Sequence, residues 1–463
     1  MGPVVFESGD HRAREADART AAARLVAEEV HGVALVWVDN AGLQRVKTVP
    51  TARLPEACAW GVGMSPVFDT YLVDDSATRG RHLGGPSGDL RLFPDLDRLT
   101  VLAGQPGWAW APVDRRRQDG LPHPACQRRF AARMVEAAAE AGLELRAGFE
   151  TEWIVTRGQE GDGGPPFAYP TDGPAYGMHR VTDLSDYLAD LLRAFRAQEM
   201  TVLQLHPEYS PGQFELSLAP EDPVGAADTA VLVRDTVRAV SARHGLRASF
   251  APVFEPGGVG NGGHLHLSLW QEGRNLSAGG PGRHGLTAEA EAFLAGVLAE
   301  LPALLAVGAP TPASYLRLVP SHWAGAFSCW GLENREAALR LVTGSTGEEA
   351  RAANAELKCV DQAANPYLLV GAVIAAGLAG LRGKAELPPE VDGDPAALPE
   401  DRRPARLPVS LDESLAAFRG SRVLAEALGE VLHDTVAAVR AAEIELFAGR
   451  GPEETAAATR WRY

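Results

Sequence analysis

The sequence predicts an α+β protein in two parts, a small mixed domain followed by a larger one, and three features carry that reading. "GVALVWVDNAGLQRVKTVP" (residues 32–50) places two strand-like runs on either side of a turn at Asp39–Gly42. Residues 113–126, "VDRRRQDGLPHPAC", are polar and proline-containing, the composition of a linker. Beyond them, acidic strand-like segments alternate with Ala/Leu-rich helical ones. With 463 residues, 46% hydrophobic and 22% charged, the chain is long enough for two or three ordinary globular domains.

Residues 1–15 are polar and expected to be disordered, and Ala21–Val30 is expected to form a short helix. Up to Trp110 the segments are short, apolar and punctuated by Gly and Pro, so the first domain is placed at 16–112 and the second at 113–463. In the second, Arg128–Ala141 reads as a helix and "LELRAGFETEWIV" as a strand. Further helices are expected at Leu184–Ala197, Ala226–His244, Ala288–Val307, Asn365–Leu381 and Val423–Phe447. Residues 384–408, rich in proline and acidic groups, read as a surface excursion.

A formal charge of −16 and a pI near 5.3 have the wrong sign for nucleic acid or an anionic membrane. The apolar run Tyr367–Leu381 is short and interrupted by glycine, so a buried helix is expected rather than a span. Cys58, Cys126, Cys329 and Cys359 are scattered without a CxxC pair, which fits a reducing compartment better than disulfides or zinc. No long apolar stretch marks the first twenty residues, so the expected location is the cytoplasm.

Chemistry concentrates in four segments. In "GFETEWIV", Glu150 and Glu152 share one strand face, and two like charges so close repel unless a cation neutralises them. In "HPEYSPGQFEL", Glu208 and Glu215 bracket a Pro-Gly turn that folds them back toward each other. "VGNGGHLHLSLW" puts His264 and His266 on one face of a strand behind a glycine cluster. "NAELKCVDQAANPY" adds Glu356. Five carboxylates with imidazole suit Mg²⁺ or Mn²⁺. Solvated edge glutamates are the plain alternative for any one of them, but the apolar neighbours Phe149, Trp153, Phe214 and Leu357 argue against it for the set. Arg317, Arg335 and Arg340 form a basic group of the kind that clamps phosphoryl oxygens beside a metal site. Gly258, Gly260 and Gly263 match GxGxxG formally, but a strand follows them where the dinucleotide fingerprint needs a helix. They are read as allowing close approach to the backbone.

"GFETEW", "HPEYSPGQFEL", "GNGGHLHLSL", "RLVP", "ENREAALR" and "ELKCVDQAANPY", in this order, resemble the glutamine synthetase superfamily over about residues 20–460. The resemblance implies a small β-grasp N-terminal domain and a catalytic domain with an antiparallel half-barrel sheet and surrounding helices. It implies a homo-oligomer, a dodecamer of two stacked hexameric rings with active sites between subunits. ATP is the implied substrate, with two or three Mg²⁺ or Mn²⁺ per site. By motif, Glu152, Glu208 and Glu215 resemble ligands of one metal, and Glu150, His264 and Glu356 ligands of another. His266, Ser268, Arg335 and Arg340 resemble nucleotide contacts, and Gly260 and Arg317 contacts of the amino-acid substrate. Asp39 matches an aspartate that a neighbouring subunit offers to the incoming amine.

The departures bear on the amine. After "RLVP" the family's glutamine-forming members have Gly-Tyr-Glu, whose glutamate deprotonates ammonium; here Trp323 stands at that position. The glycine-loop asparagine is Val259, and the arginine after the last metal glutamate is Lys358. An indole takes no proton but binds an alkylammonium through its face. With "HWAG" and "NAELK", the chain looks like the actinobacterial glutamine-synthetase-like enzymes that γ-glutamylate polyamines. The expected activity is therefore ligation of glutamate to a primary amine such as putrescine or spermidine, through a γ-glutamyl phosphate. A ligase for another acid and amine, plain glutamine synthesis from ammonia, and a silent scaffold are the rival readings. Residues 384–408 contain no tyrosine, so the adenylylation that controls some bacterial members is expected to be absent.

Overall fold

The structure is a computed structural model and describes residues 8–158 and 167–463. Residues 32–50 form the expected hairpin: β1 (Gly32–Val38) runs antiparallel to β2 (Gln44–Pro50), with Gly32 opposite Pro50 and Val38 opposite Gln44. Val33, Leu35 and Trp37 enter one apolar cluster and Val36 and Val38 another, so β1 is covered on both faces and its sequence is almost continuously hydrophobic. The remaining strands of this sheet are β3 (Val62–Met64), β4 (Leu90–Pro94), β5 (Thr100–Val101) and β6 (Trp108–Arg117). Their order is β2-β1-β6-β4-β3, with β5 also on β6; β1 and β6 are parallel and the other pairs antiparallel.

Two expectations for this half are corrected. Within the segment expected to be disordered, residues 8–15 belong to a helix, Ser8–Ala27, which replaces the shorter Ala21–Val30; residues 1–7 lie outside the described residues. The helix holds because Ala18, Ala22 and Leu25 pack into the core of the first sheet, a tertiary gain that its polar sequence does not announce. The expected linker at 113–126 is in part the end of β6. Arg115 is buried there, donating to Asp69 at 2.6 Å, to the Ala125 carbonyl and to Gln127, so a run of arginines that reads as solvated carries an internal ion pair.

The second sheet comprises β7 (Glu144–Thr156), β8 (Val202–Pro207), β9 (Gln213–Leu218), β10 (Arg247–Ser249), β11 (Leu265–Gln271), β12 (Arg274–Asn275), β13 (Phe327–Leu332), β14 (Ala337–Val342) and β15 (Asn354–Leu357). Its order is β13-β14-β15-β11-β7-β9-β8, with β10 on β7 and β12 on β11. Only β13 and β14 among these pairs run parallel. Helices Gln127–Glu140, Ser185–Ala197, Pro223–Arg243, Ala288–Gly308, Pro366–Gly383 and Arg422–Leu446 fall where the sequence places them, within a few residues at each end. Helices Ala288–Gly308 and Pro366–Gly383 are apolar enough to cross a membrane by length and composition, yet 78% of each span is buried inside the protein. They cross at Gly296 and Gly380, where a Cβ on either glycine would meet the other helix's backbone at 2.4 and 2.2 Å. The whole is an α+β fold whose antiparallel second sheet carries the acidic strands.

Candidate active site

Strand register brings the acidic residues together in two rows across the second sheet. Glu152 on β7 lies directly opposite Glu215 on β9, which in turn lies opposite His206 on β8. On the other flank, His266 on β11 is opposite Glu356 on β15, which is opposite Arg340 on β14. Glu150, two residues before Glu152 and on the same face, sits between the rows.

Around Glu150 the charges are balanced. Its carboxylate lies 2.8 Å from His264 Nδ1 and 3.0 Å from His266 Nε2, the latter off the line for a hydrogen bond. Glu356 faces His264 Nδ1 at 3.2 Å and accepts from Lys358 Nζ at 3.0 Å and Arg340 Nη1 at 2.9 Å. Arg317 Nη2 meets His264 Nε2 at 3.2 Å. A guanidinium can only donate, so that nitrogen accepts and the ring proton resides on Nδ1, directed at Glu150. Burial and the Lys358 charge hold the His264 pKa down. Burial opposes ionisation of Glu150 and Glu356, but the two histidines for the first, and Lys358 with the histidines for the second, outweigh it and hold both carboxyls low. Despite its burial, His266 is pushed up to about 9 by Glu150.

The other row is unbalanced. Glu152 is buried and faces Glu215 and Glu208; burial first, and then these two carboxylates, push its pKa up to about 8. Burial also raises Glu208, although Tyr176 donates to it at 2.7 Å. His206 lies 3.5 Å from both Glu208 and Glu215, and its hydrogen bond to Glu215 outweighs burial and raises it to about 9. The glycine loop closes against this row. A Cβ on Gly262 would come within 2.5 Å of His264 Nε2 and 2.6 Å of Glu152 Oε1, so only glycine lets the loop pass between them.

Among the described residues, two sets of three offer ligand atoms within 4.8 Å of one another: Glu150, His266 and Glu356, and His206, Glu208 and Glu215. Both are oxygen-rich with one imidazole, the donor set of Mg²⁺ or Mn²⁺, and the accumulated like charge of the second is what a divalent cation would relieve. The geometry thus differs from the expected grouping. His266 stands in the first set while the outer nitrogen of His264 is taken by Arg317, and His206 joins the second set beside Glu152.

Other expected residues are placed as follows. Ser268 lies on the same strand face as His266, its hydroxyl accepting from the Trp270 indole. The Gly260 carbonyl accepts from Gln213, whose amide also binds Glu152 at 3.2 Å. Arg317 is buried with Nη1 lacking a partner. Arg335 is exposed in the turn between β13 and β14, and Trp323 is 59% exposed in the loop before β13, its backbone N–H bound to Glu336.

Asp39 is 0% exposed, receives the Leu43 amide across its own turn at 2.9 Å and pairs with Arg45 at 2.7 Å, so within this chain its carboxylate is engaged by its own hairpin. The turn geometry that made it recognisable is what consumes its carboxylate. His206, Tyr176, Gln213 and Gln362 were not singled out by sequence. His206 had a signal, since it stands two residues before Glu208 and so shares its strand face.

The family profile "Glutamine synthetase, catalytic domain" matches residues 124–457. Among curated proteins, the γ-glutamylpolyamine synthetase GlnA3 of Streptomyces coelicolor is 60% identical over 444 residues, 95% of each chain. The glutamine synthetase of Pyrococcus abyssi is 31% identical over 86% of this chain and 87% of its own. Among solved structures, one described as a novel glutamine synthase homolog superposes with a TM-score of 0.83 at 33% identity, covering 94% of this chain and 99% of that one. A GmaS–ADP complex superposes with a TM-score of 0.82 at 27% identity, covering 94% and 97%.

Proposed function

Because the chain belongs to the glutamine synthetase family, we propose that it is an ATP-dependent ligase joining the γ-carboxyl of glutamate to a polyamine such as putrescine or spermidine, through a γ-glutamyl phosphate. The observation that carries the reading is the 60% identity to a γ-glutamylpolyamine synthetase across 95% of both chains. The family is ATP- and divalent-metal-dependent. In this reading Mg²⁺ or Mn²⁺ ions, two or three per site, would be held by Glu152, Glu208 and Glu215 with His206, and by Glu150 and Glu356 with His266. The chemistry such ions supply is charge compensation where a carboxylate meets a triphosphate.

The chain's own side chains do the positioning. Arg340 is fixed between Glu356 and Glu333, so its guanidinium is oriented before any phosphoryl oxygen arrives. Arg317 keeps a buried donor open at Nη1, which suits a substrate carboxylate. Trp323 presents an exposed ring where a carboxylate would deprotonate ammonium, and an alkylammonium chain with its distal charge fits such a face. Its backbone is in the left-handed region, φ 55°, with its backbone N–H donated to the Glu336 carboxylate. The expected assembly is a homododecamer of two stacked rings.

The test is phosphate release from ATP with glutamate across ammonium, putrescine, spermidine and monoamines. A polyamine should be strongly preferred, and Trp323→Ala should raise its KM about tenfold with little change in kcat. Ammonium used as efficiently as every amine offered would return the chain to glutamine synthesis.

A further inference from the structure

Away from the carboxylate rows, the β1–β2 hairpin, helix Pro223–Arg243 and residues 461–463 enclose a cleft of about 260 Å³. Four arginines line it: Arg45, Arg234, Arg238 and Arg462. Asp75 is the one carboxylate side chain among the lining residues, and Arg45 and Arg462 already share it. Arg234 is 4% exposed; its Nη1 donates to the Gln362 carbonyl at 2.8 Å, and its Nε has no partner. Arg45 Nη2 is likewise buried and unpartnered. Arg238, one helical turn from Arg234, lies over the Phe250 ring and reaches Gln44 at 3.4 Å. Asp235 lies between them in sequence but does not line the cleft, and burial pushes its pKa up to about 6.

Two guanidiniums four residues apart on a helix repel, and on Arg234 the Arg238 charge outweighs the attraction of Asp235. Here four guanidiniums line one cleft large enough for a small molecule. We propose that this cleft is a binding site for a small multivalent oxyanion, which its four lining arginines would hold and whose charge would offset the Arg234–Arg238 repulsion. Guanidinium groups suit such an ion because their donors match its oxygens in pairs. The cleft is separate from the carboxylate rows but coupled to them: Gln362, held by Arg234 through its carbonyl, donates its side-chain amide to the Glu150 carbonyl at 2.9 Å and to the Gly262 carbonyl at 3.2 Å.

The test is calorimetric titration of the metal-free, full-length protein with inorganic pyrophosphate and, separately, with citrate. Arg238→Gln and Gln44→Glu are the variants, chosen because both positions are only half-buried and neither belongs to the proposed active site. One binding event per chain should weaken at least tenfold in both variants, while ADP binding and circular dichroism stay unchanged. Binding of pyrophosphate alone assigns a phosphate-bearing ligand, and binding of citrate alone a polycarboxylate; either supports the site. Equal affinity in wild type and both variants, or no binding of either ion, overturns it. A change of oligomer mass in Gln44→Glu without any anion effect also overturns it, since the arginines would then face a second copy of the chain.

Discussion

The two rows of the acidic cluster use the same residue types and reach opposite electrostatic states. Around Glu150 and Glu356, two histidines, Lys358 and Arg340 balance two carboxylates, and both carboxyls are held low. Around Glu152, Glu208 and Glu215, one histidine faces three carboxylates, and Glu152 is forced up to about 8. The difference lies in which strands are adjacent. β11 lies between β7 and β15 and brings imidazoles, and β14 and the residue after β15 bring cations, whereas β7 against β9 sets glutamate opposite glutamate. One row carries its own counter-charges; the other accumulates like charge that its single histidine does not offset.

The sharpest way to break this comparison is Glu215→Ala, which removes a carboxylate from the open row. Amide formation should fall by at least about a hundredfold with the fold intact, since even residues that only support a metal ligand cost 10–100-fold when lost. Near wild-type turnover in the purified variant would take Glu215 out of the site.

Glu152→Gln should separate stability from activity. Glu152 titrates near 4.5 when unfolded and near 8 when folded, so folding favours its protonated form. That contribution is full below about pH 4.5 and is lost as pH rises through 8 in metal-free protein. The variant keeps a neutral group at every pH. It should therefore melt later than metal-free wild type at pH 8, by on the order of 1–3 kcal/mol, while losing activity. Adding Mg²⁺ at about a hundred times its Kd should stabilise wild type by about 2.7 kcal/mol and the variant by less. A metal-free variant less stable than wild type would contradict the repulsion.

The smallest effect is expected at His206, the histidine of the open row. His206→Gln should raise the Mg²⁺ concentration needed for half-maximal activity about tenfold, with the rate at saturating metal nearly preserved. An unchanged Mg²⁺ dependence would make His206 a bystander.

Several of these features were legible in residue order alone. Period-two alternation put Glu150 with Glu152 and His264 with His266 on shared faces, because successive side chains of a strand alternate whatever the fold around them. The turn at Asp39–Gly42 and the long helices follow from equally local rules. Other features needed the folded chain. The helical start at residues 8–15 is invisible in polar sequence because it extends a helix, Ser8–Ala27, that is anchored through Ala18, Ala22 and Leu25 in a core built by residues later in the chain. Arg115 reads as surface until Asp69, 46 residues earlier, is seen to pair with it.

Within the site, residue types and strand faces were settled by sequence, but partners were not. That His266 stands with Glu150 and Glu356, that Arg317 occupies the outer nitrogen of His264, and that Asp39 is spent on Arg45 are matters of strand order and register. They involve residues up to 206 positions apart in the chain, Glu150 and Glu356. The local pattern determines which way a side chain points. Only tertiary pairing determines which charge it meets there, because electrostatic balance depends on separation and burial, and neither is set by position along the chain.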